Sequence, residues 1–182
     1  KHLATVSEDA RVRVWDTGSK EQVANWPGHA DWERRAVVEF RPDGRRLAVA
    51  GPDNTAIIYD TTTWREVAVL SGHDAPVTHC IFSPNGERLV TLCRTSSSCQ
   101  IWDGDSLDLI QKIDAGSAIW FADFSANSKW LALAESNGSV GIRLAANGTA
   151  VSHWQAHQVG VTTAIFSPDN ETLATGSEHP EN

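Results

Sequence analysis

The sequence Phe82-Ser83-Pro84-Asn85-Gly86 recurs along the chain and decides how the rest of the sequence is interpreted. Related stretches begin 42 residues apart, at Phe40, Phe124 and Phe166. A leucine follows each stretch in the same register, at Leu47, Leu89, Leu131 and Leu173. Positions that share one period indicate a repeat array, so the fold is predicted one repeat at a time.

Within each repeat, short apolar runs are separated by turn residues, and no segment places apolar residues at helical spacing. The run from Arg11 to Asp16 alternates charged and apolar residues, which is typical of a strand with one buried face. Asp43-Gly44 and Asn137-Gly138 favour hairpin turns, because glycine readily adopts positive φ. We therefore predict an all-β chain in which each repeat is a four-stranded antiparallel sheet.

Several predicted strands are apolar on both faces, since runs such as Val37-Val38 and Ala132-Leu133-Ala134 lack strict alternation. Such sheets must stack on their neighbours, which points to the radial repetition of a β-propeller. We predict that residues 1–182 form a single incomplete propeller. Its blades are partial at 1–27, complete at 28–71 and 72–115, degenerate at 116–155 and partial at 156–182.

Composition narrows the classes of function. Hydrophobic residues make up 41% of the chain and charged residues 21%, with a net charge of −8. That acidic balance, without clustered Lys and Arg, argues against nucleic-acid binding. No apolar run approaches the length of a membrane span. We expect no cofactor and no metal, because the sequence has no metal-ligand spacing and no glycine-rich phosphate loop.

Three cysteines, Cys80, Cys93 and Cys99, are interpreted as reduced thiols in the core of a cytoplasmic protein, where disulfides are rare. Cys93 and Cys99 flank a turn and could face each other across a hairpin. A disulfide between them is therefore a second, geometrically possible arrangement.

The order of motifs within a repeat resembles the WD-repeat family of β-propellers. Gly28-His29 and Gly72-His73 match the family's opening pair. Trp15-Asp16 and Trp102-Asp103 match its closing pair, and Tyr59-Asp60 is a close variant. The resemblance covers essentially the whole chain.

The resemblance also implies a buried network in each repeat, which links the His, a Ser or Thr late in the second strand, an Asp in the next turn and the Trp of the third strand. In the fourth repeat Glu135 and Arg143 stand at the Ser and Trp positions, so we expect no network there. We expect Ser7→Ala to destabilise the fold and substitution of Glu135 to have little effect. Carried over residue by residue, the network positions are Ser7, Asp9, Trp15, His29, Asp53, Tyr59, His73, Trp102, His157 and Ser177.

Because the histidines recur once per repeat, we interpret them as structural, since a catalytic constellation occurs once. The resemblance implies a rigid, non-catalytic platform for protein–protein binding within a larger signalling or regulatory protein. Exposed Trp and Arg are enriched at the centres of interfaces. The candidate partner contacts lie at or near the entry to inner strands, in segments that resemble the family's binding face: Trp32, Arg34, Asp74 and Trp120.

An enzyme is the alternative. It would be a propeller hydrolase with its site in the central channel, where His79 and Asp123 are the only candidates, or its catalytic domain would lie outside this sequence. The first partial blade lacks one strand and the last partial blade supplies two. Closing a ring of four blades would therefore leave one strand unused. We therefore expect missing repeats or a second chain to complete the ring.

Overall fold

The structure is a computed structural model that describes residues 1–7, 9, 11–27 and 37–178. These residues form strands joined by turns and loops, and no helix is present among them. The strands are β1 (His2–Ser7), β2 (Arg11–Asp16), β3 (Gln22–Pro27), β4 (Val38–Phe40), β5 (Arg46–Ala50), β6 (Ala56–Asp60), β7 (Glu66–Leu70), β8 (His79–Phe82), β9 (Arg88–Leu92), β10 (Ser98–Asp103), β11 (Leu109–Asp114), β12 (Ile119–Phe124), β13 (Trp130–Glu135), β14 (Ser139–Leu144), β15 (Ala150–Gln155), β16 (Val161–Phe166) and β17 (Leu173–Ser177).

The strands form five sheets, in which consecutive strands are hydrogen-bonded neighbours. The first sheet contains β1 to β3, and the second, third and fourth contain four strands each, β4 to β7, β8 to β11 and β12 to β15. The fifth contains β16 and β17. The predicted all-β class and the four-stranded antiparallel sheets are confirmed. Before β8, the N–H of Val77 donates to the carbonyl of Gly51 at 3.0 Å.

The chain divides into two compact units, Lys1–Cys80 and Ile81–Asn182, with the boundary inside β8. In the first unit, the first and second sheets share one core. Val12 and Val14 of β2 pack with Leu47 and Val49 of β5, and all four side chains are fully buried.

In the second unit, β13 is buried on both of its faces. Leu131 and Leu133 belong to the core shared with the third sheet. Ala132 and Ala134, which point to the opposite face, pack with residues of β16 in the fifth sheet. This alternation explains why the sequence of β13 is apolar at every position from 131 to 134.

The repeated Phe-Ser-Pro-Asn-Gly stretch forms one kind of turn throughout. At its last position φ is positive in all four copies: 73° at Gly44, 75° at Gly86, 59° at Ser128 and 65° at Asn170. In each copy the N–H of that residue donates to the carbonyl three residues earlier, at 2.7–2.8 Å. The turn is therefore kept even where the glycine is replaced.

All three cysteines are free and buried, so the alternative of a bridge between Cys93 and Cys99 is wrong in this structure. Burial raises the pKa of Cys99 to about 12, which keeps its thiol protonated and unreactive near neutral pH.

Candidate interaction surface

Trp120 lies on a β-bulge at the start of the inner strand of the fourth sheet. The pairing of β12 with β13 shifts register between Ile119 and Phe121, so Trp120 is the extra residue of the bulge. The same shift occurs in the fifth sheet between Val161 and Thr163. Bulges redirect a side chain away from the regular alternation of the strand, and Trp120 is half-buried as a result.

The ring of Trp120 lies against the backbone of Gly160. A Cβ atom at Gly160 would stand 2.2 Å from Cζ3 and 2.6 Å from Cη2 of Trp120, which is well inside contact distance. The carbonyl of Ser136 would lie 3.0 Å from the same atom. Only glycine at position 160 therefore leaves room for the ring in this position.

Backbone hydrogen bonds hold the loops around Trp120, and one of these bonds joins the third and fourth sheets. The N–H of Ile119 donates to Ser96 at 3.0 Å, and that of Ala115 donates to Ser97 at 2.9 Å. The N–H of Glu178 donates to the carbonyl of Gly160 at 3.1 Å. This arrangement presents one large aromatic ring on a surface of hydrogen-bonded backbone, which suits recognition of another protein.

The other predicted partner contacts are placed as follows. Asp74 is exposed in the loop before β8, in the first unit. Trp32 and Arg34 lie outside the described residues. The structure thus supports Asp74 and Trp120 as accessible side chains, each in its own unit.

The hydroxyl that binds the repeat tryptophan is two residues earlier than predicted. Trp102 Nε1 donates to Thr91 Oγ1 at 2.8 Å, and Trp15 Nε1 donates to Thr5 Oγ1 at 3.1 Å. Strand register gives the reason, since Trp102 is directly opposite Leu89. Thr91 is then its diagonal neighbour, within reach of a large side chain. Cys93, which holds the place of Ser7 in the third repeat, is two residues farther along.

Ser7 and Asp9 form a separate polar cluster with Arg13. The hydroxyl of Ser7 donates to Asp9 at 2.5 Å and accepts from Arg13 at 2.8 Å, and Arg13 forms an ion pair with Asp9. Hydrogen bonds from Arg13 and Ser7 hold the pKa of Asp9 well below its usual range. Ser7 and Asp9 are exposed and Arg13 is half-buried. Since Trp15 donates to Thr5, the Ser7 assignment to the tryptophan network is corrected to Thr5.

His157 shows the same shift of two residues. Its Nε2 lies 2.8 Å from Thr175 Oγ1, so Thr175 takes the place predicted for Ser177. His73 is buried, and His29 lies outside the described residues. Asp53 is an exposed turn residue whose carboxylate accepts from the N–H and the hydroxyl of Thr55.

The second sheet replaces the hydrogen-bonded pair with apolar and aromatic packing. Val49 stands where Thr91 stands in the third sheet, and Tyr59 stands where Trp102 stands. Tyr59 packs against Trp26 of the first sheet in a tilted arrangement, with ring centroids 4.6 Å apart. Burial raises the pKa of Tyr59.

The expectation that the fourth repeat has no polar network is wrong. Glu135 is fully buried, and its carboxylate lies 2.9 Å from His153 Nε2 and accepts from the hydroxyl of Ser117 at 2.9 Å. Gly141 lies between them: a Cβ there would stand 3.6 Å from Glu135 Oε1 and 3.5 Å from the His153 ring. Sequence reasoning missed His153 because it lies on the outer strand, outside the periodic histidine position.

The two residues considered for a catalytic site have ordinary surroundings. His79 Nδ1 lies 3.0 Å from the hydroxyl of Thr78. The carboxylate of Asp123 accepts from the N–H of Phe166 at 3.1 Å, and partial burial raises its pKa. Among the described residues, no group of three or more His, Cys, Asp or Glu side chains is placed to hold a metal ion. No helix long and apolar enough to cross a membrane occurs in the described part of the chain.

Comparison with known proteins gives a consistent picture. A family model described as "WD domain, G-beta repeat" matches residues 20–60, 64–103 and 148–179. The transcriptional corepressor LEUNIG_HOMOLOG of Arabidopsis thaliana is 26% identical over 179 residues, which cover 98% of this chain and 22% of that protein.

Two guanine nucleotide-binding protein beta subunits are also similar. The one from Arabidopsis thaliana is 31% identical over 100 residues, covering 52% of this chain and 26% of the subunit. The one from Oryza sativa subsp. japonica is 21% identical over 194 residues, covering 97% of this chain and 50% of the subunit. The matches thus span between about a fifth and a half of the length of these relatives.

Proposed function

Since the chain belongs to the WD40 repeat family, we propose that it is a non-catalytic scaffold for protein–protein interaction within a larger signalling or regulatory protein. The observation that carries this proposal is the placement of Trp120 on a β-bulge beside surface loops. The sheet that holds it is packed against its two neighbours through apolar cores. A rigid scaffold lowers the entropy cost of binding, because its contact residues are ordered in advance.

The relatives support a regulatory role by their names alone, a transcriptional corepressor and guanine nucleotide-binding protein subunits. WD40 repeats are typically non-catalytic. His79 and Asp123, the residues considered for a hydrolase site, belong to different units, and each has the local hydrogen bonds described above. No observation favours the enzyme alternative.

The proposal is tested by affinity capture with the complete chain. Immobilised wild type and Trp120→Ala are incubated with a lysate of the source cells, and the retained proteins are quantified by mass spectrometry. We expect Trp120→Ala to lose proteins that the wild type retains, because an aromatic anchor is removed from the contact surface. Asp74→Ala and Trp32→Ala test the other predicted contacts in the same assay.

Trp154→Ala is the matched control, since Trp154 is an exposed tryptophan of the outer strand β15, 39% accessible. It should retain the same proteins as the wild type. An unchanged set of retained proteins in Trp120→Ala would remove this residue from the interface. Enrichment of no protein by the wild type would contradict the scaffold function itself.

We also propose a reducing compartment such as the cytoplasm, which the three free cysteines support. Completion of a ring by missing repeats or a second chain stays a prediction.

A further inference from the structure

A pocket of about 250 Å³ opens in the second unit between turns of the third and fourth sheets. Its lining includes Glu87 and Arg88 at the start of β9, Lys129 and Trp130 at the start of β13, and Leu144 at the end of β14. These turns join the first strand of a sheet to the second, or the third to the fourth. They therefore lie at the strand ends opposite to those near Trp120, and the pocket is separate from the surface described above.

Hydrogen bonds between the two sheets hold the walls of the pocket. The N–H of Asn85 donates to the hydroxyl of Ser128 at 3.1 Å. Arg88 Nε donates to the carbonyl of Ala146 at 3.4 Å, and its Nη1 lies 3.4 Å from the carboxylate of Asp103. The pocket is thus a formed feature of the fold rather than a gap between mobile loops.

The residues at the mouth of the pocket break the repeat. The position of Trp130 is occupied by Arg46, Arg88 and Thr172 in the other repeats, so the aromatic side chain occurs once. Residues that keep a repeat fold recur, whereas a residue that serves one binding site need occur only once. Trp130 is half-buried, which leaves part of its ring accessible.

The lining of the pocket includes hydrogen-bond donors that have no acceptor among the described residues. Lys129 is exposed, and neither its ammonium group nor the indole N–H of Trp130 has a hydrogen-bond or ion-pair partner among the described residues. The hydroxyl of Ser128 accepts from Asn85 and keeps its own proton available. Glu87 is the only carboxylate among the lining residues, whose two cationic side chains are Arg88 and Lys129.

The size of the pocket selects the kind of ligand. Sites for small molecules usually measure about 300–1,000 Å³, so this pocket suits one side chain of a peptide rather than a whole cofactor. Leu144, Ala146 and the ring of Trp130 provide apolar surface for that side chain. Lys129 and the indole N–H are suited to a carboxylate beside it, because charge-assisted hydrogen bonds are the stronger kind.

We infer that this pocket binds an acidic linear peptide, which inserts one apolar side chain against Trp130 and Leu144 and places a neighbouring carboxylate beside Lys129. The net charge of −8 does not prevent this. Exposed charges are screened beyond about 8 Å at physiological salt. The contact is therefore decided by the charges of the lining itself, Arg88 and Lys129 against the one carboxylate of Glu87.

The test uses the complete chain labelled with ¹⁵N, in which Trp130→Phe identifies the indole N–H resonance of Trp130. The probe is the blocked peptide Gly-Asp-Leu-Asp-Gly, compared with Gly-Asn-Leu-Asn-Gly and Gly-Lys-Leu-Lys-Gly. We expect the acidic probe to shift the Trp130 resonance with saturation and a dissociation constant below about 1 mM. The two other peptides should bind at least about tenfold more weakly.

Lys129→Glu should weaken binding of the acidic probe at least about tenfold. Arg45→Glu is the matched control, because Arg45 holds the same place in the second repeat, is exposed and does not line the pocket. It should leave the affinity unchanged, and both variants should keep the dispersed spectrum of the wild type. Equal binding of the three peptides, unchanged affinity in Lys129→Glu, or no shift of the Trp130 resonance at about 5 mM probe would each overturn the inference.

Discussion

At the scale of single residues, the buried bond between Trp102 and Thr91 stabilises the third sheet. The indole N–H has this hydroxyl as its acceptor at 2.8 Å, and only 6% of Trp102 is accessible. Thr91→Val keeps the shape of the side chain but leaves the indole N–H without its acceptor. We expect the free energy of unfolding to fall by about 1–3 kcal/mol, measured by urea denaturation.

A double-mutant cycle separates the bond from packing. If the hydrogen bond stabilises the fold, Thr91→Val should lower the free energy of unfolding far less in a Trp102→Phe background than in the wild type. The donor is already absent there, so the same hydrogen bond cannot be lost twice. The second sheet already carries this combination in similar form, Val49 with Tyr59. Strictly additive costs would show that the hydroxyl contributes through other contacts.

Glu135 is the second residue whose role the structure revises. Its carboxylate is fully buried and lies within hydrogen-bond distance of both His153 and Ser117. Glu135→Leu removes the acceptor of both bonds, so we expect a loss of about 1–3 kcal/mol in urea unfolding. Glu135→Gln keeps an amide oxygen at the same place and should cost less. Equal stability of wild type and Glu135→Leu would support the original expectation that this position tolerates substitution.

We expect acid sensitivity from three aspartates that end the strands β2, β6 and β10 and accept backbone N–H groups of the turns that follow. Backbone N–H groups of Ser106 and Asp105 donate to Asp103 at 2.9 and 3.0 Å and lower its pKa below the ordinary value of 3.8. Asp16 and Asp60 have lowered pKa values for the same reason.

A pKa that is lower in the folded state means that the unfolded chain binds more protons. The stabilisation is therefore complete above the unfolded pKa, near 3.8, and is lost as the pH falls through the folded value. We expect the free energy of unfolding, measured in urea, to fall between about pH 5 and pH 3. It should fall less steeply with pH in Asp103→Asn. An identical slope in both proteins would contradict a contribution from this carboxylate.

At the scale of elements, positive φ at the repeated turn determines which residues it tolerates. Gly44 has φ of 73°, and no atom lies within 4 Å of a Cβ built there. Gly44→Ala therefore measures the cost of positive φ alone, without a steric clash. We expect the free energy of unfolding to fall by about 1 kcal/mol, measured by thermal or urea unfolding. Gly44→Asn should cost less, because asparagine adopts this conformation more readily and stands in the same turn at Asn170. Equal losses for the two variants would point to a steric cause instead.

At the scale of the whole molecule, stability depends on the hydrophobic cores that neighbouring sheets share inside each unit. Leu131 is fully buried in the core shared by the third and fourth sheets, whereas Leu173 is only half-buried beside the core of the fourth and fifth. We expect Leu131→Ala to lower the free energy of unfolding by about 2–5 kcal/mol and Leu173→Ala to cost clearly less.

Val151→Ala provides the control for this series. Val151 is 51% accessible on the outer strand β15, so the substitution should change stability by no more than about 0.5 kcal/mol. The free energy of unfolding of both variants is measured in urea. Comparable decreases in Leu131→Ala and Val151→Ala would contradict a stabilising core between the third and fourth sheets.

The sequence by itself determined the period, the all-β class and most strand positions. These follow from local patterns, such as alternation in β2 and Asp-Gly at Gly44, that act over a few residues. It also predicted burial on both faces of β13, because residues 131–134 are uninterruptedly apolar. The pattern of apolar residues predicts which faces of a strand are buried, but not which neighbouring element buries them.

Only the tertiary structure decided which polar groups meet. Thr91 rather than Cys93 binds Trp102, because strand register places Leu89 opposite the tryptophan. Glu135 of β13 gains a partner from His153 of β15, because the sheet places these two strands on either side of β14. A hydrogen bond requires atoms within about 3 Å, and a periodic sequence specifies which face a residue occupies but not that distance.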